Sequence, residues 1–203
     1  MTIMVQHFRL RHIVETGTHL GNTAFFFARQ FPELTIWTCE INKTFYRASR
    51  NRLRGIRNVR IFNLDSESFL RQILPGLGEG RLYWLDAHWY EDVPLLMELA
   101  VIDEDNRPGV VVIDDFFVPN QPQFGFDDYG DGHRIDRAYI RTYVESRRPW
   151  LLLPKYGVRE PRIKAQLRGH AILLQNIPDP LMVAFSHDQS VERSYTIEAP
   201  GRQ

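Results

Sequence analysis

The stretch His12-Ile-Val-Glu-Thr-Gly-Thr-His-Leu-Gly21 decides the predicted fold of this chain. Residues 12–15 form a short, mostly apolar run that predicts a strand, and the glycines at 17 and 21 predict a turn. Residues 22–30, rich in Phe and Ala, predict a helix. A strand, a glycine-containing loop and a helix in succession are typical of an α/β protein.

The same alternation continues to about residue 113. Runs rich in β-branched, aromatic or other apolar residues predict further strands at 34–40, 59–63, 81–85 and 109–113. Helices are predicted between them at 43–53, 65–74 and 94–103. Because the central strands are apolar on both faces, we expect a mostly parallel sheet with helices on both faces.

The pattern changes after about residue 136. A helix is predicted at 137–145, and the apolar runs 150–153 and 170–175 predict an antiparallel pair of strands at one edge of the sheet. The sheet would then have seven strands. The 203 residues contain no linker and no internal repeat, so we expect a single domain over 1–203.

The composition limits the functions to consider. Lys and Arg number 25 and Asp and Glu also number 25, so a binder held to polyanions or membranes by net charge is not expected. The single cysteine, Cys39, excludes an internal disulfide and a cysteine-built metal site. Polar residues interrupt the N-terminal stretch, and the apolar runs are strand-sized. We therefore expect a soluble, cytoplasmic protein.

The charges are distributed unevenly along the chain. Residues 42–81 carry nine bases and three acids, whereas residues 86–136 carry thirteen acids and two bases. The arginines from Arg47 to Arg60 are typical of a solvated helix face, and we do not expect them to bind nucleic acid. The acidic segment needs a different explanation.

Polar residues, most of them acids, follow each of the first five predicted strands. They are Glu15, Glu40, Asn63 with Asp65, Asp86 with His88, and Asp114 with Asp115. Parallel α/β sheets bind ligands outside the carboxyl ends of their strands. Carboxylates gathered there repel one another unless a ligand or a cation satisfies them. The pattern therefore predicts a ligand site at this edge.

The loop after the first strand indicates the kind of ligand. Its glycines are four residues apart, unlike the G-x-G-x-x-G of dinucleotide-binding folds, which argues against a nicotinamide dehydrogenase. Glu40 follows Gly21 by 19 residues, where a carboxylate can accept hydrogen bonds from both hydroxyls of a ribose. The spacing favours a nucleoside without phosphates.

These motifs resemble the successive cofactor motifs of class I S-adenosylmethionine-dependent methyltransferases, over nearly the whole chain. The matching positions are Glu15-Thr-Gly-Thr-His-Leu-Gly21, Glu40, Asp65-Ser66 and Asp86. The segments 83–88, 94–99 and 111–116 are, more narrowly, similar to the macrocin O-methyltransferases and the cephalosporin-hydroxylase-like proteins. The resemblance implies a Rossmann-like fold and S-adenosylmethionine as cofactor.

The resemblance also implies which residues bind that cofactor. Gly17, Thr18 and Gly21 would bring the backbone against its methionine part. Glu15 would hold its amino group, directly or through a water. At the other end Glu40 would bind the ribose and Ile41 would pack on the adenine. The remaining implied cofactor contacts are Asp65 and Ser66 at the adenine edge, and Asp86.

A magnesium ion is implied as well, held by Asp86, Asp114 and Asp115 at the ends of the fourth and fifth strands. Oxygen ligands suit this ion, and a cation bound to adjacent hydroxyls lowers their pKa. His88 is the candidate general base for the acceptor hydroxyl. Alternatively, His88 caps the next segment or packs on Trp89. For Asp114 and Asp115 the alternative is that one caps a turn and the other is solvated.

The expected activity is methyl transfer to a hydroxyl of a small molecule, such as a sugar, a macrolide or another glycosidic natural product. Residues 124–133 are placed to form an acceptor loop, with an ordinary surface loop as the alternative. The relatives carry a longer N-terminal segment over the active site. We therefore expect either a lid from this loop or from a partner subunit of a homo-oligomer, or a sequence that starts late. The alternative function is a non-catalytic or accessory cofactor-binding domain.

Overall fold

The computed structural model describes residues 1–88, 93–130, 134–155 and 167–200. These residues form two compact units, Met1–Gly109 and Val110–Gln203. The single domain expected over 1–203 stays a prediction.

The first unit alternates strands and helices. Its elements are α1 (Thr2–His7), β1 (His12–Thr16), α2 (Asn22–Gln30), β2 (Thr35–Cys39), α3 (Lys43–Arg52), β3 (Val59–Phe62), α4 (Ser66–Ile73), β4 (Arg81–Leu85) and α5 (Leu95–Asp105). The strands lie in the order β4-β1-β2-β3, and each neighbouring pair is parallel. Thr16 is opposite Cys39 on one side and Leu85 on the other. The residues that follow β1, β2 and β4 therefore meet at one edge.

Capping and burial explain these elements. Ile13 and Val14 in β1 and Leu82 in β4 are completely buried, as expected for strands covered on both faces. The Asn42 side chain accepts hydrogen bonds from Thr44 N and Phe45 N at 2.9 and 3.3 Å, which starts α3. The core thus fixes the strands, and polar caps fix where the helices begin.

Arg81 is a buried charge at the amino end of β4. It donates to Asp105 Oδ2 at 2.5 Å and to the carbonyl oxygen of Gly78 at 2.6 Å, and it also donates to the carbonyl of Leu77. Arg107 donates to the carbonyl of Leu77 as well, at 2.6 Å. These bonds fasten the turn before β4 to the end of α5, on the side of the sheet away from the strand ends described above.

The second unit begins within β5. Its elements are β5 (Gly109–Asp114), β6 (Phe124–Gly125), α6 (Arg141–Arg147), β7 (Trp150–Pro154), β8 (Leu167–Arg168), β9 (His170–Gln175), α7 (Asp179–Ser186), α8 (Gln189–Ser194) and β10 (Tyr195–Glu198). The strand order is β10-β7-β9-β5, and β7 is antiparallel to both β9 and β10. The short strands β6 and β8 pair separately.

The structure confirms the α/β class, the parallel strands and the antiparallel pair near the C-terminus. The expected number of strands was one too few. Among the described residues, β1 to β4 pair in the first unit and β5, β7, β9 and β10 pair in the second, and β10, which pairs with β7, was not expected. The helix expected at 137–145 begins only at Arg141, after a series of turns. Of the helices that the described ranges contain, none is long and apolar enough to cross a membrane.

Candidate functional site

A cavity of about 450 Å³ lies in the first unit at the carboxyl ends of β1, β2 and β4. Its volume is within the range of pockets for small ligands and cofactors. Six of the sequence-predicted cofactor residues line it: Gly17, Glu40, Ile41, Asp65, Ser66 and Asp86. The structure therefore brings together residues that are up to 69 positions apart in the sequence.

The loop from Gly17 to Gly21 forms one wall of this cavity. Gly17 has a φ of +84°, and a Cβ atom at this position would overlap the backbone carbonyl of Asp86. The amides of Gly17 and Thr18 both donate to the carbonyl oxygen of Cys39, at 3.1 and 2.9 Å. Glycine at 17 thus lets the loop cross the ends of its neighbouring strands at close range.

Gly21 has a φ of +76° and caps the amino end of α2. An added Cβ would lie 3.2 Å from Ser49 Cβ in α3, so this glycine also lets the loop lie close to the neighbouring helix. Gly21 and Thr18 do not line the cavity. Their predicted contact with a cofactor remains a prediction, whereas their role in shaping the loop is structural.

Glu40 joins that loop to the start of α3. Its Oε2 accepts a hydrogen bond from His19 N at 2.7 Å, and its Oε1 accepts one from Asn42 N at 2.8 Å. Asn63 Nδ2 donates to the carbonyl oxygen of Glu40 at 2.6 Å and holds the strand end in place. A carboxylate has about four acceptor positions, so acceptor capacity remains for hydroxyls of a ligand.

Beyond Glu40 the cavity becomes apolar. The Ile41 residue is 66% exposed although it is a large aliphatic residue, and it lines the cavity. Phe45 lines the same cavity, and its ring lies edge-on to that of His19 with centroids 4.5 Å apart. An apolar wall beside an acidic acceptor is suited to a flat base attached to a sugar.

Asp65 and Ser66 lie at the start of α4. Asp65 Oδ1 accepts a hydrogen bond from Ser68 N at 2.7 Å, and this bond lowers the pKa of the Asp65 carboxyl. Asp65 therefore caps the helix as a carboxylate while it also lines the cavity. Ser66 is buried beside it.

Glu15 lies behind the loop and is not part of the cavity lining. Its residue is completely buried, and Thr38 donates a hydrogen bond to its Oε2, whereas its Oε1 has no hydrogen-bond partner among the described residues. Burial raises the pKa of Glu15 to about 8, against the opposing effect of the Thr38 hydrogen bond. Its predicted bond to the amino group of a cofactor remains a prediction.

Asp86 and His88 follow β4. Asp86 lines the cavity, and Asp86 N donates to the carbonyl oxygen of Thr16 at 3.2 Å. His88 is 6% exposed, and its Nε2 lies 3.8 Å from Asp86 Oδ1. The alternative packing of His88 on Trp89 involves a residue outside the described ranges. The role of His88 as a base stays a prediction.

The other predicted metal ligands, Asp114 and Asp115, belong to the second unit. There Asp115 has a φ of +53° and forms an ion pair with Arg168. Because the proposed ligand set is drawn from both units, metal binding stays a prediction of the sequence. The acceptor loop expected at 124–133 is described only as far as residue 130.

Several residues that line the cavity, and the cationic partner of Asp115, were not predicted from the sequence. Asn42, Phe45, Pro94 and Met97 line the cavity. The position of Asn42 before a helix is a capping signal that indicated its place. No pattern in the sequence connected Arg168 with Asp115, because 53 residues separate them.

No family model and no curated protein matches this chain. Solved structures do share its fold. The O-methyltransferase TomG from Streptomyces achromogenes, involved in tomaymycin synthesis and solved with S-adenosylmethionine, is 17% identical with a TM-score of 0.60, covering 85% of this chain and 76% of its own. The Bacillus cereus O-methyltransferase solved with S-adenosylhomocysteine is 18% identical with a TM-score of 0.58, covering 86% and 77%.

A precorrin-6y C5,15-methyltransferase from Geobacter metallireducens shares the fold too, at 12% identity and a TM-score of 0.51, covering 86% of each chain. The chain thus has the fold of class I S-adenosylmethionine-dependent methyltransferases, as its sequence motifs imply. O-methyltransferases are among the proteins with this fold. The narrower resemblance to the macrocin group remains a prediction.

Proposed function

We propose that this protein is an S-adenosylmethionine-dependent O-methyltransferase. One observation carries the proposal: in a chain with this fold, Gly17 and Glu40 lie in one cavity at the strand ends. The close approach of the loop and the acidic acceptor are the two features that an adenosyl cofactor without phosphates requires.

The described residues fit that cofactor. Glu40 would accept hydrogen bonds from the ribose hydroxyls, and Ile41 would pack on the adenine, with Phe45 lining the same cavity. The backbone at Gly17 would lie along the methionine part. When bound, the cofactor supplies an electrophilic methyl group on a sulfonium.

The protein would hold the acceptor and the methyl group in position and would supply a proton acceptor. Transfer to an oxygen requires the acceptor hydroxyl in line with the methyl group, which is mainly a matter of holding both in place. His88, near Asp86 and almost buried, would take the hydroxyl proton as that oxygen bonds to the methyl carbon and the bond from this carbon to sulfur breaks, leaving a neutral thioether. The acceptor we propose is a hydroxylated small molecule, of the sugar, macrolide or other glycosidic natural product type.

A divalent cation is the second part of the proposal. Asp86, Asp114 and Asp115, the ligands that the sequence predicts, would supply the carboxylate oxygens that magnesium prefers. Asp115, however, already has a cationic partner in Arg168. The cation is therefore tested separately from methyl transfer, by comparing activity in magnesium with activity after chelation.

The direct experiment incubates the full chain with methyl-labelled S-adenosylmethionine and a panel of sugars, glycosides and macrolides. We expect label in a hydroxylated acceptor, and at least tenfold less label with His88→Gln at unchanged cofactor binding. The matched control is His187→Gln, since His187 is an exposed histidine of the second unit. Bound cofactor with no acceptor labelled would favour the non-catalytic alternative.

A further inference from the structure

Arg168 in the second unit lies between two carboxylates. Its Nε donates to Asp115 Oδ1, and its Nη2 donates to Asp127 Oδ1. The side chains of Asp115 and Asp127 are 14% and 23% exposed and that of Arg168 is 41% exposed, so both ion pairs are shielded from water on the carboxylate side. Such pairs are stronger than fully exposed ones, because the solvent screens them less.

The backbone on each side of Arg168 is held in place. Arg168 pairs with Gly125 across β8 and β6, and Gly169 N donates to the carbonyl oxygen of Gly125 at 2.8 Å. On the other side, Phe116 N donates to the carbonyl oxygen of Gly169 at 3.0 Å. A Cβ on Gly169 would overlap the carbonyl oxygen of Phe116, so glycine is required for this approach. The guanidinium is therefore positioned by a fixed strand.

The two carboxylates belong to one network that includes the start of the expected acceptor loop. Asp127 N donates to the carbonyl oxygen of Asp115 at 3.0 Å, and the Tyr129 hydroxyl donates to Asp127 Oδ2 at 2.5 Å. Burial and the neighbouring Asp127 raise the pKa of Tyr129, which keeps this hydroxyl a donor. Arg168 thus connects β8 with the segment from Asp115 to Tyr129.

An arginine and a divalent metal ion compete for the same carboxylate oxygens, since both are bound through charge at short range. While Arg168 Nε donates to Asp115 Oδ1, one acceptor position of that oxygen is taken and its negative charge is partly neutralised, which weakens it as a metal ligand. The sequence implied a metal ligand at Asp115, whereas the structure gives this carboxylate a cation from the protein itself.

We propose that Arg168 is the resident counter-cation of Asp115, that it holds the segment 115–129 against β8, and that it weakens the binding of a divalent metal to Asp115. This inference rests on the cation part of the proposed function. Arg168 thus positions this segment, and its ion pair with Asp115 sets how tightly that carboxylate binds a metal.

The test measures Mn²⁺ binding to the full chain by calorimetry, without any methyl transfer. Arg168→Met keeps an unbranched side chain and removes the charge, and we expect it to bind Mn²⁺ at least roughly tenfold more tightly than the unmodified chain. Arg141→Met, at an exposed arginine of α6, should leave the affinity unchanged. Adding Asp115→Asn to Arg168→Met should abolish the gain.

Hydrogen exchange gives a second measurement. Amides in 116–130 should exchange faster in Arg168→Met, and Arg168→Lys, which retains one charge but not the two-pronged contact, should be intermediate. Equal Mn²⁺ affinity with and without Arg168, or a gain that survives Asp115→Asn, would overturn the proposal. If Arg168→Met does not fold, Arg168→Lys decides by the same comparison of Mn²⁺ affinity.

Titration of the same samples with S-adenosylhomocysteine separates the proposal for Arg168 from the proposed methyltransferase function. If no variant binds it, the proposed methyltransferase function fails, while the Mn²⁺ comparison still decides whether Arg168 competes with metal.

Discussion

Thr38 donates a hydrogen bond to the buried carboxyl of Glu15, and the same hydroxyl oxygen lies 2.5 Å from Thr18 Oγ1. These three side chains join β1, β2 and the cavity loop. The Glu15 carboxyl therefore supports the loop from behind, whereas its predicted bond to the amino group of a cofactor stays a prediction.

This burial makes the stability of the fold depend on pH. The pKa of Glu15 is raised from an ordinary 4.5 to about 8, so the folded chain keeps a proton that the unfolded chain releases. The free energy of unfolding should therefore fall as pH rises from about 4.5 to about 8. Glu15→Gln, which resembles the protonated form, should show a smaller fall in urea titrations at pH 5 and pH 8.

The control for Glu15 is Glu33→Gln, since Glu33 is an exposed residue on the turn before β2. It should reproduce the pH dependence of the unmodified chain. If the free energy of unfolding of Glu15→Gln falls with rising pH as much as that of the unmodified chain, the Glu15 carboxyl is already ionised in the folded protein.

Gly17 and Gly55 form a matched pair for testing the loop. Both have positive φ, +84° and +83°, but an added Cβ meets the Asp86 carbonyl at Gly17 and nothing within 4 Å at Gly55. Gly55→Ala should cost about 1 kcal/mol of backbone strain and leave S-adenosylhomocysteine binding intact. Gly17→Ala should cost more and remove binding. Equal effects in chemical denaturation and calorimetry would contradict a close approach at Gly17.

The Arg81–Asp105 pair predicts a large effect on stability away from the cavity. Arg81 is completely buried, and its loss would leave the Gly78 carbonyl without this donor and Asp105 with Arg107 as its remaining ion-pair partner. Arg81→Met should lower the free energy of unfolding by about 1–3 kcal/mol. Arg71→Met, at an exposed arginine paired with Glu67 and Glu104, should have a smaller effect. A comparable loss in both variants would argue against the buried network.

Local patterns were enough to predict most of the fold. The alternation of apolar runs with capped helices located β1 to β5 and the pair β7 and β9, because each is a run with its own signal. The helices α1, α7 and α8 were missed, since short helices of six to eight residues owe their stability to tertiary packing. β10 was missed because its pairing with β7 is not encoded locally.

Some features of the candidate site could likewise be predicted from the sequence, and others could not. Glu40 and Asp65 could be predicted because they follow strands and parallel strands end at one edge, whereas Gly17 and Ile41 were implied by the resemblance to the methyltransferases. The burial of Glu15 and the ion pair between Arg168 and Asp115 could not, since both depend on side chains far away in the sequence.

Calorimetric titration of the full chain with S-adenosylhomocysteine tests whether the cavity at the strand ends binds the cofactor. We expect saturable binding at one site, at least roughly tenfold weaker in Glu40→Ala, which loses a charged acceptor for the ribose and the bonds from His19 N and Asn42 N. Glu33→Ala should bind like the unmodified chain. No binding by the unmodified chain, or equal binding by Glu40→Ala, would contradict a cofactor site in which Glu40 holds the ribose.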